Sequence, residues 1–294
     1  MDGDLKRQRP VMFTRFLHTL RRRFHPLYHL RRNRFIANNI LPLLDQPVAR
    51  RLHGVQWPVW LRRVQHASYS VDSRIVEPGE LALFAVLCRA YKPRILWDIG
   101  ANVGLYSWLF LSQNPTAAAL LFEPDPDNLA LLDRTVEDNG LDRATIMRCA
   151  VSDHVGEASF EIDAVTGHTG HLGPPSPGVG VTIRVPTVTL DQIATDNPSP
   201  DIMKIDVEGA EALVFAGAAS LLKSCRPIIL FESFGGLRDI NEILVDAGYQ
   251  LFNGEDPDGS VDEAANFLAL PRDKMDDMEV RRSEWREELR ARGL

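Results

Sequence analysis

Short apolar runs that end in an acidic residue recur along this chain and separate segments with helical spacing. These runs are residues 94–98 (RILWD), 118–123 (AALLFE), 201–206 (DIMKID) and 227–232 (PIILFE). Runs of this length between helices are typical of buried strands in a parallel sheet that has helices on both faces. Because the carboxyl ends of parallel strands meet at one edge, we expect Asp98, Glu123, Asp206 and Glu232 to lie at the same rim.

The remaining strands break the alternation and complete the predicted sheet. A strand is expected over residues 145–151, and residues 158–162 and 181–185 form a predicted antiparallel pair around a loop rich in Gly and Pro. The last strands, residues 249–252 and 266–270, follow each other without a helix between them, which favours an antiparallel edge. The segments with helical spacing are residues 77–91, 102–111, 124–139, 210–222, 237–247 and 275–294.

Charge divides the chain into a basic arm and an acidic body. Residues 1–65 hold 14 Lys and Arg against three Asp and Glu, a net charge of +11, whereas the rest carries −18. An acidic body argues against a nucleic-acid partner. The Arg-rich arm has interspersed aromatic residues, so it fits either peripheral contact with an anionic membrane or a helical extension packed on its own body. We therefore divide the chain into a basic N-terminal helical extension (1–75), a main domain (76–272) and a C-terminal helix (273–294).

Cysteine content and apolar run length bear on the cellular compartment. The three cysteines form no C-x-x-C pair, which excludes a disulfide scaffold and favours a reducing compartment. The longest apolar run, residues 81–88, is far shorter than the ~20 residues that span a bilayer. No secretory signal is recognisable, although the Arg-rich start also resembles an organellar transit peptide. We expect a cytoplasmic protein, with a membrane-peripheral location as the alternative.

A glycine-containing loop, residues 98–104 (DIGANVG), joins the first of these strands to its helix. It lacks the G-x-G-x-x-G spacing with which a dinucleotide fold binds pyrophosphate, and the acid in front of Gly100 repels phosphate. Asp98 suits a ligand with an ammonium group and hydroxyls, and Gly100 and Gly104 allow close approach of the backbone. The alternative is an ordinary strand-to-helix turn.

A second acid, Glu123, follows 25 residues after Asp98 at the end of the next strand. A carboxylate at this position accepts hydrogen bonds from a ribose diol in related sheets. An acid at the start of a helix also interacts favourably with the helix dipole, but Asp125 and Asp127 fit that role better.

Four motifs, in the order given, resemble the FkbM family of S-adenosylmethionine-dependent methyltransferases. They are residues 98–104 (DIGANVG), 122–128 (FEPDPDN), 150–153 (AVSD) and 204–211 (KIDVEGAE). The resemblance implies an α/β, Rossmann-like class I methyltransferase fold. Such a fold has a seven-stranded, mostly parallel sheet with an antiparallel last strand. It also implies S-adenosylmethionine as the cofactor.

The resemblance further implies roles for individual residues at the cofactor. The methionine and ribose part would contact residues of the first loop, namely Asp98, Gly100, Asn102 and Gly104. Tyr106 would close over this part, and Glu123 would bind the ribose hydroxyls. The adenine would be bordered by the residues after the third strand, namely Val151, Ser152 and Asp153.

Charged side chains around residues 204–208 are the candidates for the reacting side. If Lys204 is buried, it needs a carboxylate partner. Asp206 and Glu232 are the two candidates. Asp206 is expected near the transferred methyl group, and Glu208 is a candidate base for a hydroxyl acceptor. A structural ion pair at the strand end is the alternative.

Two histidines, His168 and His171, lie in the Gly- and Pro-rich loop. His171 is a candidate base on the acceptor side, and a flexible polar lid is the alternative. No metal site is predicted, because no cysteine or acidic cluster adjoins these histidines in the sequence.

The predicted function is methyl transfer from S-adenosylmethionine to a hydroxyl oxygen of a small-molecule, glycan or lipid-linked acceptor. Two alternatives stay open: a non-catalytic binding or scaffold protein on a methyltransferase fold, and an NAD-type oxidoreductase. The acceptor and the oligomeric state are not predictable from these patterns, because acceptor pockets are built from variable loops.

Overall fold

The structure, a computed structural model, describes residues 40–73, 76–163, 170–172, 180–275 and 278–293. Most of the predicted basic extension, residues 1–39, lies outside the described residues, as does His168. Among the described residues, no helix is both long and apolar enough to cross a membrane.

The elements are numbered here in chain order. Strands β1 to β13 are Pro47–Arg51, Pro58–Arg62, Ile95–Ile99, Ala118–Phe122, Ala144–Met147, Ala150–Val151, Gly156–Asp163, Gly170–Leu172, Gly180–Val188, Ile202–Ile205, Ile228–Glu232, Tyr249–Asn253 and Asn266–Pro271. Helices α1 to α10 are Leu41–Leu44, Ala67–Asp72, Pro78–Tyr91, Leu105–Gln113, Pro126–Asn139, Leu190–Asp196, Glu211–Ala216, Ala219–Ser224, Leu237–Asp246 and Met278–Ala291. Short 3₁₀ turns are Val261–Glu263 and Arg272–Lys274.

The main sheet has seven strands in the order β12-β13-β11-β10-β3-β4-β5. All neighbours are parallel except that β13 runs antiparallel to both β11 and β12. The predicted α/β fold with an antiparallel last strand is therefore confirmed, and it is the arrangement of class I methyltransferases. The strand order reverses between β3 and β10, so their carboxyl ends form the crevice in which such sheets bind ligands.

Helices cover both faces of this sheet, as predicted. Successive strand residues alternate between two hydrophobic cores: Leu96 packs with helices α3, α4, α5 and α10, and Trp97 packs with α6 to α9. This alternation follows from the period of two in a strand. Both faces are apolar because both are buried.

A second sheet, of order β6-β9-β7-β8, corrects the prediction for residues 145–151. The predicted single strand is two: β5 ends at Met147, and β6 pairs with β9 instead. The chain turns between them, where the Cys149 N–H donates to the Met147 carbonyl over 3.0 Å. The predicted antiparallel pair is confirmed as β7 and β9.

Two predicted helix boundaries were also wrong. Helix α4 begins at Leu105 rather than at 102, because Asn102 and Gly104 have left-handed φ values of 52° and 82° that a helix does not accommodate. The predicted helix over 210–222 is divided into α7 and α8 around Gly217, where a Cβ would overlap the Ser152 carbonyl.

The hairpin β1–β2 shares the core of the main sheet. Val59 and Leu61 are fully buried within it. The Trp60 amide donates to Thr135 Oγ1 on α5 over 3.0 Å, and the Trp60 indole donates to Asp138 over 2.7 Å. Residues 47–62 are thus anchored to α5 through both apolar and polar contacts.

Helix α10 closes the core on the α3 side. Trp285 is fully buried, and its indole N–H donates to the Gly79 carbonyl over 2.9 Å. We expect Trp285→Ala to lower the free energy of unfolding by ~3–5 kcal/mol, the usual cost of emptying a large aromatic site. Val280→Ala on the exposed side of α10 should change it by less than ~0.5 kcal/mol. Denaturant unfolding measures both, and similar values for the two variants would contradict this role of Trp285.

Gly100 lies where the ends of β3 and β10 come closest. Its φ is +79°, and a Cβ would overlap the Asp206 carbonyl. Gly140 has φ of +60° but no atom within 4 Å of its Cβ position. We expect Gly140→Ala to cost ~1–2 kcal/mol from backbone strain alone. Gly100→Ala should cost a further ~1–3 kcal/mol from overpacking. Equal losses of unfolding free energy in Gly100→Ala and Gly140→Ala would show that the contact with the Asp206 carbonyl adds no cost.

Candidate active site

A cavity opens at the carboxyl ends of β3, β4 and β10, at the reversal of strand order. Most of the predicted site residues line it, namely Asp98, Gly100, Asn102, Tyr106, Glu123, Val151, Lys204, Asp206 and Glu208. Apolar residues of the second sheet form one wall, namely Ala150, Phe160, Ile162 and Leu172. Three acids of the predicted rim, Asp98, Glu123 and Asp206, therefore line one cavity, whereas Glu232 is not part of its lining.

Asp98 is buried at the end of β3 and holds the start of helix α4. Its Oδ2 accepts hydrogen bonds from the Ser107 hydroxyl over 2.6 Å and the Ser107 amide over 3.2 Å. The helix cap, Gly104, has no side chain to satisfy that amide, so Asp98 does so from the neighbouring strand. Burial raises the pKa of Asp98 to about 6, against the opposing effects of the Ser107 hydrogen bonds and the Lys204 charge.

Glu123 ties the loop after β3 to the start of helix α5. Its Oε2 accepts from the Asn102 amide over 2.7 Å, and its Oε1 accepts from the Asp125 amide over 2.8 Å. Burial raises the pKa of Glu123 to about 8, although these hydrogen bonds act in the opposite direction. The Asn128 side chain also hydrogen-bonds Glu123, and the remaining lone pair of the two side-chain oxygens can accept from a ligand.

Two amide oxygens in the cavity wall are buried without a hydrogen-bond partner among the residues that the structure describes. They are Oδ1 of Asn102 and Oδ1 of Asn128. An unpaired buried carbonyl oxygen is costly, so a ligand that donates N–H or O–H groups would be stabilised at these two atoms. Asn128 was not predicted, although it is the last residue of the 122–128 motif.

On the other side of the cavity, Lys204 forms an ion pair with Asp206. Its Nζ lies 3.2 Å from Asp206 Oδ2 and 5.2 Å from the centre of the Tyr106 ring. Burial lowers the pKa of Lys204, but the carboxylates of Asp206, Glu77 and Glu232 outweigh this effect and raise the pKa overall. Lys204 is thus a permanent ammonium, and of its two predicted partners Asp206 is the one in contact.

Glu208 lies at the exposed mouth of the cavity, in the turn after β10. It has a left-handed φ of 54°. Partial desolvation in the cavity raises the pKa of Glu208 to about 7, and the nearby carboxylates of Asp206 and Glu211 add to the rise. A carboxyl group with such a pKa is suited to exchange a proton near neutral pH.

The wall also includes residues from the segment before the first motif. Tyr69 and Glu77 line the cavity, and the Tyr106 hydroxyl donates to Glu77 Oε2 over 2.7 Å. Burial raises the pKa of Tyr106 well above its usual value, so it remains a neutral donor. Nothing in the sequence around Tyr69 and Glu77 indicated this placement.

Other predicted residues are placed differently. Gly104 does not line the cavity, and its lack of a side chain makes room for the Trp108 ring. Ser152 and Asp153 also lie outside the lining, and the Asp153 carboxylate faces His154 at 2.8 Å. His171 belongs to β8 and pairs with Glu161, but its side chain lies outside what the structure describes.

A family model and two relatives agree on the family to which this chain is similar. The model described as the methyltransferase FkbM domain matches residues 98–251, a little over half of the chain. The 2-O-methyltransferase NoeI of Sinorhizobium fredii is 31% identical over 235 residues, covering 72% of this chain and 88% of that protein. The hexuronic acid methyltransferase AglP of Haloferax volcanii is 29% identical over 168 residues, covering 55% of this chain and 66% of that protein. This chain therefore spans just under two thirds of the length of AglP.

A solved structure of an FkbM methyltransferase from Methylobacillus flagellatus KT is 18% identical, with a TM-score of 0.44. The match covers 60% of this chain and 43% of that one.

The family-model match spans both the loop after β3 and the end of β10, where the cavity lies. The chain belongs to the methyltransferase FkbM family.

Proposed function

We propose that this chain transfers the methyl group of S-adenosylmethionine to a hydroxyl oxygen of a sugar. The observation that carries the cofactor assignment is the pair of unpartnered amide oxygens on Asn102 and Asn128, which flank the buried carboxylate of Glu123. The names of the two curated relatives support a sugar-like acceptor, since one is called a hexuronic acid methyltransferase and the other a 2-O-methyltransferase.

The cavity residues fit the chemical groups of S-adenosylmethionine. Asp98 suits the ammonium of the methionine part, and the remaining lone pair of Glu123 suits a ribose hydroxyl. The unpartnered oxygens of Asn102 and Asn128 suit N–H or O–H donors. Val151 belongs to the apolar wall, which suits the flat adenine.

When bound, S-adenosylmethionine supplies an electrophilic methyl group on a sulfonium. Displacement at that carbon needs an in-line hydroxyl oxygen, so orientation and exclusion of water are the main contributions of the protein. The acceptor hydroxyl also has to lose its proton. Glu208 is the better base, because Lys204 forms an ion pair with Asp206. Glu208 forms no ion pair among the described residues, and its pKa is about 7 although the Lys204 charge lowers it.

Cofactor binding tests the first part of this proposal. We expect the wild-type chain to bind S-adenosylmethionine and S-adenosylhomocysteine in calorimetric titration, and NAD not at all. Asp98→Asn keeps the shape and an acceptor for Ser107 but removes the charge. Its affinity for S-adenosylmethionine should fall at least about tenfold, since a charge-assisted hydrogen bond contributes ~1.5–3 kcal/mol.

The matched control is Asp142→Asn, which removes an exposed carboxylate away from the cavity and should leave the affinity unchanged. Binding of NAD instead would favour the oxidoreductase alternative. Binding of none of the three ligands by a folded chain would favour a scaffold.

The pH dependence of methyl transfer tests Glu208. The base must be ionised to take the hydroxyl proton, so kcat/KM should rise by up to about tenfold per pH unit below pH ~7 and level off above it. Glu208→Gln should abolish this rise of kcat/KM with pH and lower the rate by about 10²–10⁴-fold. Glu137→Gln, at an exposed site on α5, is the control and should retain the wild-type profile. If Glu208→Gln keeps the wild-type rise of kcat/KM with pH, another residue is the base.

A further inference from the structure

The charges that line the cavity are strongly unbalanced. Among the described lining residues there is one cationic side chain, Lys204, and it is already paired with Asp206. The acidic residues of the lining are Glu77, Asp98, Glu123, Asp125, Asp206 and Glu208. Of these, Glu123 has a pKa of about 8 and is largely uncharged at neutral pH.

The acidic residues are divided between the part of the cavity assigned to the cofactor and the part assigned to the acceptor. Asp98, Glu123 and Asp125 surround the groups assigned to the cofactor. Glu77 and Glu208 lie on the side of Lys204 and Tyr106, where an acceptor has to approach. Two carboxylates there face an incoming acceptor, and no unpaired cation does so among the described lining residues.

Neighbouring carboxylates already repel each other on this side. Burial is the largest cause of the raised pKa of Glu232, and the charges of Asp206, Glu77 and Glu208 raise it further, while Lys204 opposes them. Another carboxylate or a phosphate on an acceptor would enter the same negative field and be repelled by it.

Glu77 is held in a conformation that a glutamate avoids. Its φ is 44° and its ψ is 56°, in the left-handed region, and the next residue is Pro78, which disfavours helical backbone in front of it. Glycine would relieve this strain. Strained residues of this kind concentrate at functional sites, where the side chain has a use. Here the side chain accepts the Tyr106 hydroxyl and adds its charge to the acceptor side.

We propose that the acceptor site admits uncharged sugars and excludes uronic acids and phosphorylated sugars, with Glu77 as a specificity-determining residue. This inference rests on the proposed function, because it assumes a sugar acceptor beside S-adenosylmethionine. Glu77 precedes the region matched by the family model, so the family assignment does not imply it. The relative named for hexuronic acids therefore differs from this chain in the predicted charge of its acceptor.

Matched acceptors test the proposal directly. The full chain is supplied with S-adenosylmethionine and with pairs of methyl glycosides that differ in one group, such as a glucoside and the corresponding glucuronide. We expect kcat/KM to be at least about tenfold higher for the neutral member, and added salt to narrow this ratio. Glu77→Gln should lower the ratio of kcat/KM between the neutral glycoside and the uronide about threefold or more, mainly through a lower KM for the uronide. Glu137→Gln should leave the ratio unchanged.

Glu77→Gln retains an oxygen that accepts the Tyr106 hydroxyl. If this variant does not fold, Glu77→Gly removes the same charge and also relieves the left-handed backbone. A wild-type preference for the uronide would overturn the inference and leave the proposed function standing. Binding of S-adenosylmethionine without transfer to either kind of sugar would overturn both the inference and the proposed sugar acceptor. An unchanged ratio in both Glu77 variants would overturn the role of that residue.

Discussion

The close approach of β3 and β10 at their carboxyl ends is the constraint on which the site depends. Lys204 pairs in register with Asp98, and the Asp206 amide donates to the Ile99 carbonyl over 2.9 Å, so the ladder continues past the formal end of β10. Gly100 then turns away without a side chain against the Asp206 carbonyl. A larger residue would separate the strand ends and move the acids, so the cavity depends on this contact before any ligand binds.

The buried acids are organised by the protein itself. Asp98 holds the Ser107 amide in the first turn of α4, and Glu123 holds two loop amides, those of Asn102 and Asp125. Helix N-termini and loop amides stabilise carboxylates in this way. A ligand with a positive group therefore meets an Asp98 carboxylate whose orientation is already set, which lowers the reorganisation that binding requires. The same groups serve the fold and the site, so removal of either carboxylate affects both.

Much of this arrangement could be predicted because strand ends carry a pattern. The acids that close 94–98, 118–123 and 201–206 follow apolar runs, and parallel topology brings such ends together. The structure collects Asp98, Glu123 and Asp206 in one cavity for this reason. Local turns carry no comparable pattern. The turn at Met147–Cys149 diverts the chain into the second sheet, which leaves Asp153 facing His154 rather than the cavity.

Residues that reach the cavity from outside the strand ends were not predictable in the same way. Tyr69 and Glu77 precede the main sheet, and they reach the cavity through the packing of α2 and of the start of α3, which periodicity does not encode. Asn128 lies within a motif, but an Asn in the first turn of a helix is ordinary, and its unpartnered oxygen is visible only once the neighbouring atoms are placed. Sequence patterns thus locate the cofactor side better than the acceptor side.

Backbone strain shows how the two sides differ. The described non-glycine residues with left-handed φ include Glu77, Asn102 and Glu208, all of which line the cavity, and also Lys92 and Arg226, which do not. Asn tolerates this conformation well, but Glu does not, so both glutamates on the acceptor side are held by their surroundings. Glu208 lies inside the family-matched region and Glu77 outside it. A change at Glu77 would therefore alter the charge on that side of the cavity while leaving Asp98, Asn102 and Glu123 in place.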